Sequence, residues 1–308
     1  RRPRLVRERE EARMTIDPAA VPASAEEIAR LEEMARRIRV AVIRTVTHCK
    51  VGHVGGNLSA ADVLAALYGR ILRIRPQEPD WPDRDRFILS KGHSALGQYG
   101  AMALAGYFDL EEMFTFNKKG ARLQGHPDMN KLPGIDISTG SLGMGLSAGL
   151  GMALGATHMG QAFRTWVLMG DGEVQEGSIW EAAHVASRYG ADNLIGIVDH
   201  NQFQQFGWRG KDAADRLPPE DPGDLVARFK AFGWRVLEMN GNDMNEVVAT
   251  LEEAAEPTGL PTAVISNTLK GYGVSFMAGD YKWHMGVPTE EEFAIAMRDL
   301  GESEGGEA

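Results

Sequence analysis

The chain has 308 residues, of which 43% are hydrophobic and 25% are charged, and this composition is typical of a globular protein with a substantial core. Its 43 acidic and 33 basic residues give a formal net charge of −10. This charge argues against nucleic acid or an anionic membrane surface as a partner, because basic residues bind both. The single cysteine, Cys49, cannot form an internal disulfide, so we expect a cytoplasmic protein.

The two ends of the chain differ in composition from the rest. Residues 1–24 begin with a dense run of charged residues and are predicted to form a flexible tail, as are the Gly- and Glu-rich residues 301–308. Residues 25–300 are predicted to form one domain. An apolar, glycine-rich run over residues 140–160 is interrupted by polar residues, so it predicts a buried helix and not a membrane span.

The first half of the predicted domain is mainly helical. Ser24 and Glu27 form a predicted capping box, and apolar residues at helical spacing predict a helix over residues 25–45. A glycine-rich loop follows, and Ser59 is predicted to be the N-cap of a second helix. A strand and two helical stretches are expected next, over residues 86–90, 94–104 and 110–116.

Helices and strands alternate along the second half. The strands are predicted over residues 165–169, 194–199, 235–238 and 262–267, and the helices over residues 145–157, 177–189, 224–232, 245–255 and 289–300. Near-continuous apolar strands separated by helices predict an α/β fold, with a parallel sheet covered by helices on both faces. Ligands bind at the carboxyl ends of the strands in such sheets, so we expect the site just after Met169 and Val198.

Polar residues follow these two strands. Asp171 lies between Gly170 and Gly172, and Asn201 follows the next strand. The glycines leave backbone N–H groups open to an anion, and carboxylate and amide oxygens are ligands that Mg²⁺ prefers. An isolated Gly-Asp-Gly is typical of a tight turn. Followed by a crossover helix and by Asn201, it resembles instead the diphosphate and metal motif of thiamine diphosphate enzymes, for which a backbone carbonyl near Phe203 is expected as a further ligand.

Six short motifs occur in order along the chain: GHVGGNLS at residues 52–59, LSKGH at 89–93, GHPD at 125–128, STGSLG at 138–143, GDGEVQEG at 170–177, and KGYG at 270–273 with WH at 283–284. With these motifs the chain resembles the N-terminal half of a transketolase, a thiamine diphosphate enzyme, in the form divided over two chains. The resemblance covers roughly residues 25–297 and implies the thiamine diphosphate-binding fold.

The resemblance implies a cofactor site for thiamine diphosphate and Mg²⁺. The implied metal ligands are Asp171, Asn201 and the carbonyl of Phe203. The residues implied to bind the cofactor itself, through its diphosphate or near its aminopyrimidine ring, are His93, Gly140, Leu142, Gly170, Gly172, Glu173 and His284, together with Asp171 and Asn201.

The resemblance also implies residues that act on the substrate. His53, His126 and His284 are expected to line the substrate channel, where imidazoles can bind sugar hydroxyls and shuttle protons. Glu176 is expected to link the active sites of a dimer. The other histidines are expected to be ordinary core or surface residues with satisfied hydrogen bonds, namely His48, His158, His184 and His200. Cys49 is expected to be a small packed residue.

The resemblance implies a partner chain. In the family, a glutamate of a separate pyrimidine-binding domain activates the cofactor, and no second alternating block follows residue 267 here. We therefore expect a C-terminal transketolase subunit to complete the site, in an α₂β₂ assembly that acts on sugars or sugar phosphates. Self-association is predicted to use the small residues near Gly145 and Gly149.

Two departures from the family pattern and two alternatives remain. Met144 replaces a common glutamine, and aromatic residues from Phe206 to Trp208 open a segment, running to Pro219, that is long enough to act as a lid. One alternative is the α subunit of a 2-oxo acid dehydrogenase or a relative of deoxyxylulose phosphate synthase. The other is a non-catalytic cofactor-binding subunit.

Overall fold

The computed structural model describes residues 22–204 and 222–302. Most of the two predicted flexible ends, and the predicted lid from Phe206 to Pro219, lie outside these ranges. Within them, no helix combines the length and the apolar character needed to cross a lipid bilayer.

The strands of the described ranges form one five-stranded sheet with the order β1-β2-β3-β5-β4. The strands are β1 (Arg86–Leu89), β2 (Thr165–Gly170), β3 (Leu194–His200), β4 (Arg235–Asn240) and β5 (Thr262–Asn267). Every neighbouring pair is parallel. This confirms the predicted α/β fold and places β2 and β3 side by side near the middle of the sheet, with their carboxyl ends at the same edge.

Helices cover both faces of the sheet. They are α1 (Ala25–Cys49), α2 (Gly55–Ser59), α3 (Ala61–Ala66), α4 (Ala95–Ala105), α5 (Met144–Met159), α6 (Gly177–Arg188), α7 (Pro222–Ala231), α8 (Met244–Ala255) and α9 (Glu290–Asp299). Trp166 and Leu168 of β2 pack into one core with α1, α3, α4, α8 and α9, whereas Val167 and Met169 pack into a second core with α5, α6 and α7. Alternate strand residues thus serve opposite faces, which explains why β2 in the middle of the sheet is apolar almost throughout.

Helix α1 begins at the predicted residue but ends at Cys49, later than the predicted residue 45. The Ser24 hydroxyl accepts from the Glu27 N–H at 3.2 Å, as a helix N-cap does. The prediction that Ser59 caps the second helix is wrong, because Ser59 is the last residue of α2 and the N-cap of the following helix, α3, is Ala60. The Ser59 hydroxyl instead donates to Asp199 Oδ2 at 2.8 Å, across the carboxyl edge of the sheet.

The glycines predicted to mediate self-association face the sheet instead of solvent. A Cβ atom at Gly145 would overlap the Ser90 side chain, and one at Gly149 would lie 2.6 Å from Val167 Cγ2. These glycines therefore allow α5 to approach β1 and β2 closely, and the prediction that they form a subunit surface is wrong. On the opposite side of the same helix, Gly151 has open space around it.

Candidate functional site

The carboxyl ends of β2 and β3 bring Asp171 and Asn201 to one edge of the sheet. Gly170 and Asp199 are paired across the two strands, so the residues that follow them are neighbours. Asp171 Oδ2 accepts from the N–H of Gln202 at 2.7 Å, and its Oδ1 accepts from the N–H of Gly172 at 2.8 Å. These hydrogen bonds join the two loops and hold the Asp171 carboxylate, which is only 3% exposed.

The oxygens at this edge fit a magnesium ion. Burial and the nearby Asp199 carboxylate raise the pKa of Asp171, so a cation here would stabilise its charged form. Asn201 Oδ1 accepts from the N–H of Phe203 at 3.2 Å, so this amide oxygen and the Phe203 carbonyl belong to one short turn. A carboxylate, an amide and a backbone carbonyl are a hard oxygen set suited to Mg²⁺ with diphosphate oxygens and water. The ligand roles of these residues stay predictions.

Three of the predicted histidines form a cluster beside this edge. The ring centroid of His53 lies 5.2 Å from those of both His93 and His284, and His93 lies 5.4 Å from His284. An isolated antiparallel bridge between His53 and Met285 brings the two distant loops together. Burial and neighbouring positive charge lower the pKa of His93 to about 2 and that of His284 to about 3. Neutral imidazoles can both donate and accept hydrogen bonds, as binding sugar hydroxyls requires.

Lys270 is a site residue for which the sequence predicted no role. Its ammonium donates to the Phe203 carbonyl at 2.8 Å and lies 3.0 Å from His284 Nδ1. The side chain is almost fully buried, and this burial lowers the pKa of Lys270 to about 8. A buried lysine between the metal turn and the histidine cluster suits a diphosphate. Its position in the KGYG motif was the available signal, but sequence alone could not distinguish it from a surface lysine.

Glu173 holds the glycine loops together through a buried carboxylate. Its Oε1 accepts from the Gly143 N–H at 2.9 Å and from the Ser90 hydroxyl, and its Oε2 accepts from the Gly170 N–H at 3.1 Å. The predicted contact of Glu173 with the cofactor stays a prediction. The observed hydrogen bonds support an indirect role, because both carboxylate oxygens fix the loops that carry the other predicted ligands.

The remaining predicted residues lie at the open side of the site. Gly140 has a φ of +136°, and a Cβ atom there would lie 3.0 Å from His126 Cδ2, so only glycine fits between the loop and this ring. His126 is exposed, Leu142 is 39% exposed, and Glu176 is exposed at the start of α6.

Cys49 and His200 are expected from the sequence to be core residues without a catalytic role. His200 is only partly as expected: it is buried in β3 with Nδ1 3.0 Å from Asn267 Oδ1, but its Nε2 is buried without a hydrogen-bond partner among the described residues. The Cys49 thiol donates to the Phe114 carbonyl at 3.4 Å, and burial raises the pKa of Cys49, which disfavours a nucleophilic thiolate. Met144, the departure from the family pattern, is 55% exposed at the first turn of α5.

The parallel sheet places an aspartate, an asparagine and a buried lysine just after three of its strands, beside clustered histidines. This arrangement is typical of a domain that binds a diphosphate together with a metal ion. The family of the transketolase thiamine diphosphate-binding domain matches residues 31–304. The chain belongs to this family. It is therefore the thiamine diphosphate-binding part of a transketolase-type transferase, which moves a ketol unit with this cofactor.

Curated relatives include separate subunits and longer chains. The chain is 42% identical to a subunit of the apulose-4-phosphate transketolase of Phocaeicola vulgatus, and the match covers 88% of this chain and 94% of the relative. It is also 42% identical to the 6-deoxy-6-sulfo-D-fructose transketolase subunit SqwG of Clostridium sp. strain MSTE9, over 89% of its length and 97% of the relative. These names favour a transketolase over the 2-oxo acid dehydrogenase alternative.

Solved structures of longer transketolases share the fold. The transketolase from Leishmania mexicana is 29% identical with a TM-score of 0.80, over 92% of this chain and 42% of that one. A Pichia stipitis transketolase variant is 28% identical with a TM-score of 0.80, over 88% of this chain and 41% of that one. The chain thus spans about two fifths of these longer proteins and nearly all of the two relatives that are single subunits.

Proposed function

We propose that this chain supplies the diphosphate and metal half of a transketolase active site and that a second subunit supplies the pyrimidine half. The observation that carries the proposal is the placement of Asp171, Asn201 and Lys270 around one turn, next to the His53, His93 and His284 cluster. The matches to relatives named as transketolase subunits support a divided enzyme. We place the assembly in the cytoplasm as an α₂β₂ tetramer, and the single cysteine agrees with this compartment.

Each residue has a defined task in the proposed site. Asp171, Asn201 and the Phe203 carbonyl would bind Mg²⁺, and Lys270 and His93 would neutralise or donate to the diphosphate. Bound thiamine diphosphate supplies the carbanion chemistry of ketol transfer. His53 and His284, whose pKa values are lowered by burial, would orient sugar hydroxyls by donating and accepting hydrogen bonds. Glu176 would lie at a subunit interface and link the two active sites of the assembly.

We propose that the substrates are ketoses and aldoses that carry an anionic group. By name, the relative from Phocaeicola vulgatus acts on a sugar phosphate and the one from Clostridium on a sulfonated sugar. This chain has a formal charge of −10, so we expect the partner chain to bring the basic residues that bind the anionic end of the sugar.

The proposal is tested by purifying the chain together with the protein encoded beside it and measuring ketol transfer. The donor panel pairs each phosphorylated or sulfonated ketose with its neutral parent, and pyruvate is included as a separate donor. We expect exchange from a ketose to an aldose that depends on thiamine diphosphate and Mg²⁺. Consumption of pyruvate without exchange between sugars would contradict the proposal. Ketol transfer that does not require thiamine diphosphate and Mg²⁺ would also contradict it.

A further inference from the structure

Asp199 is a buried carboxylate two residues before Asn201 that the proposed ligand set does not include. Its Oδ2 accepts from the Ser59 hydroxyl at 2.8 Å, from Asn201 Nδ2 at 2.9 Å and from the Lys91 ammonium. Its Oδ1 accepts from the Thr268 hydroxyl. Four separate segments of the chain thus meet at one side chain, directly beneath the metal turn.

Each hydrogen bond that the described residues make to the Asp199 carboxylate is donated to it, and one donor is a buried ammonium. Asp199 forms an ion pair with Lys91 in which both side chains are only 2% exposed, and Lys91 also donates to the Gly56 carbonyl at 2.9 Å. A carboxylate paired with an ammonium accepts hydrogen bonds, so its other neighbours must present donors to it.

This requirement fixes the direction of the Asn201 amide. The amide can place either its NH₂ group or its oxygen against Asp199, and only the NH₂ group can donate to the carboxylate. Asn201 Oδ1 must then point away, and it lies 3.2 Å from the Phe203 N–H at the metal turn. The reversed amide would place an oxygen against a carboxylate oxygen and a nitrogen where Mg²⁺ requires an oxygen.

We infer that Asp199, held in place by Lys91, is a positioning residue that orients the Asn201 oxygen and thereby sets the affinity of the site for Mg²⁺. This inference rests on the proposed function, in which Asp171 and Asn201 are the metal ligands. It adds that the buried ion pair acts on the cofactor site through the amide, and not only on the stability of the fold. Partners behind metal ligands commonly act in this way.

Two double variants separate orientation from charge. Lys91→Met with Asp199→Leu removes both charges and every acceptor at position 199, whereas Lys91→Met with Asp199→Asn removes both charges and keeps an amide oxygen for Asn201. Replacing a buried ion pair by apolar residues of similar size is often neutral for stability, so we expect both to fold. In the two-chain assembly with saturating thiamine diphosphate, calorimetric titration measures Mg²⁺ affinity and a thermal melt measures stability.

We expect the leucine variant to lose about 10- to 100-fold in Mg²⁺ affinity and the asparagine variant to bind close to wild type. Equal affinities in the two variants, both high or both low, would overturn the inference. Asp85→Asn is the matched control, because Asp85 is equally buried but binds the Arg73 and Arg164 N–H groups near the opposite end of β1. Asp171→Ala is the reference: unchanged Mg²⁺ affinity in that variant would refute the proposed metal site itself.

A single substitution provides a second test if the leucine variant does not fold. Asn201→Asp offers the metal another hard oxygen but replaces the donor that faces Asp199 with a second carboxylate. If Asp199 sets the orientation, Asn201→Asp lowers Mg²⁺ affinity, and adding Asp199→Asn restores it by supplying a donor. Unchanged or higher affinity in Asn201→Asp alone would contradict the inference.

Discussion

The contact between α5 and the sheet predicts opposite effects for two alanine substitutions in one helix. The Cβ atom of Gly145→Ala would overlap the Ser90 side chain and lie 3.0 Å from Ser90 Cα, so backbone must move. Overpacking of this kind costs about 1–3 kcal/mol. Gly151 has open space and helical backbone, so Gly151→Ala should stabilise the helix by about 0.5–1 kcal/mol. The two variants should therefore differ by about 1.5–4 kcal/mol.

Thermal and urea unfolding of the two variants and the wild type, at one protein concentration, measure this difference. At about 2–4 °C per kcal/mol for a large domain, we expect the Tm values to differ by at least about 3 °C, with Gly145→Ala lowest. Ser90 also donates to Glu173, so Gly145→Ala should weaken cofactor binding as well. A Gly145→Ala variant as stable as Gly151→Ala would refute this packing of α5 on the sheet.

Three further predictions concern the site. Asp171→Ala should abolish Mg²⁺-dependent binding of thiamine diphosphate in the complete assembly, and calorimetric titration checks this. His53→Ala and His284→Ala should lower ketol transfer while the Tm changes little, since both side chains are only half-buried; a large Tm loss with full activity would contradict this. Because the pKa of His93 is about 2 in the folded chain, the unfolded chain binds more protons below about pH 6.5, so stability should fall as pH drops from about 6.5 to 5. Melts of His93→Gln over that range should show a shallower fall.

The sequence predicted most of the fold because its signals are local. The strand over residues 262–267 has the predicted bounds, and the one over 165–169 is longer by a single residue, since each buried strand is a continuous apolar run. Ser59 was misassigned because its hydroxyl serves a long-range partner, Asp199, and no local pattern reveals such a contact. The prediction that Gly145 and Gly149 lie on a subunit surface is wrong for a related reason. Helix α5 has small residues on several sides, so its sequence does not reveal which side packs against the sheet.

The candidate site was partly visible in the sequence. Asp171 and Asn201 follow predicted strand ends, so the parallel sheet alone brings them together. The sequence does not assign roles to Lys270 or to the Lys91–Asp199 pair. Their contacts join segments that are more than 60 residues apart in the chain, as between Lys270 and Phe203. A lysine in sequence is usually a surface residue, and only tertiary structure shows that these two are buried.

The division of the active site over two chains is the central claim, and complementation measures it most directly. Ketol transfer is assayed with thiamine diphosphate and Mg²⁺ for the purified chain alone, the partner chain alone, their mixture, and a mixture that contains the Asp171→Ala chain. We expect turnover only in the wild-type mixture, because only there are Asp171, Asn201 and a pyrimidine-domain glutamate present together. Turnover by the chain alone that disappears in its Asp171→Ala variant would contradict the divided site.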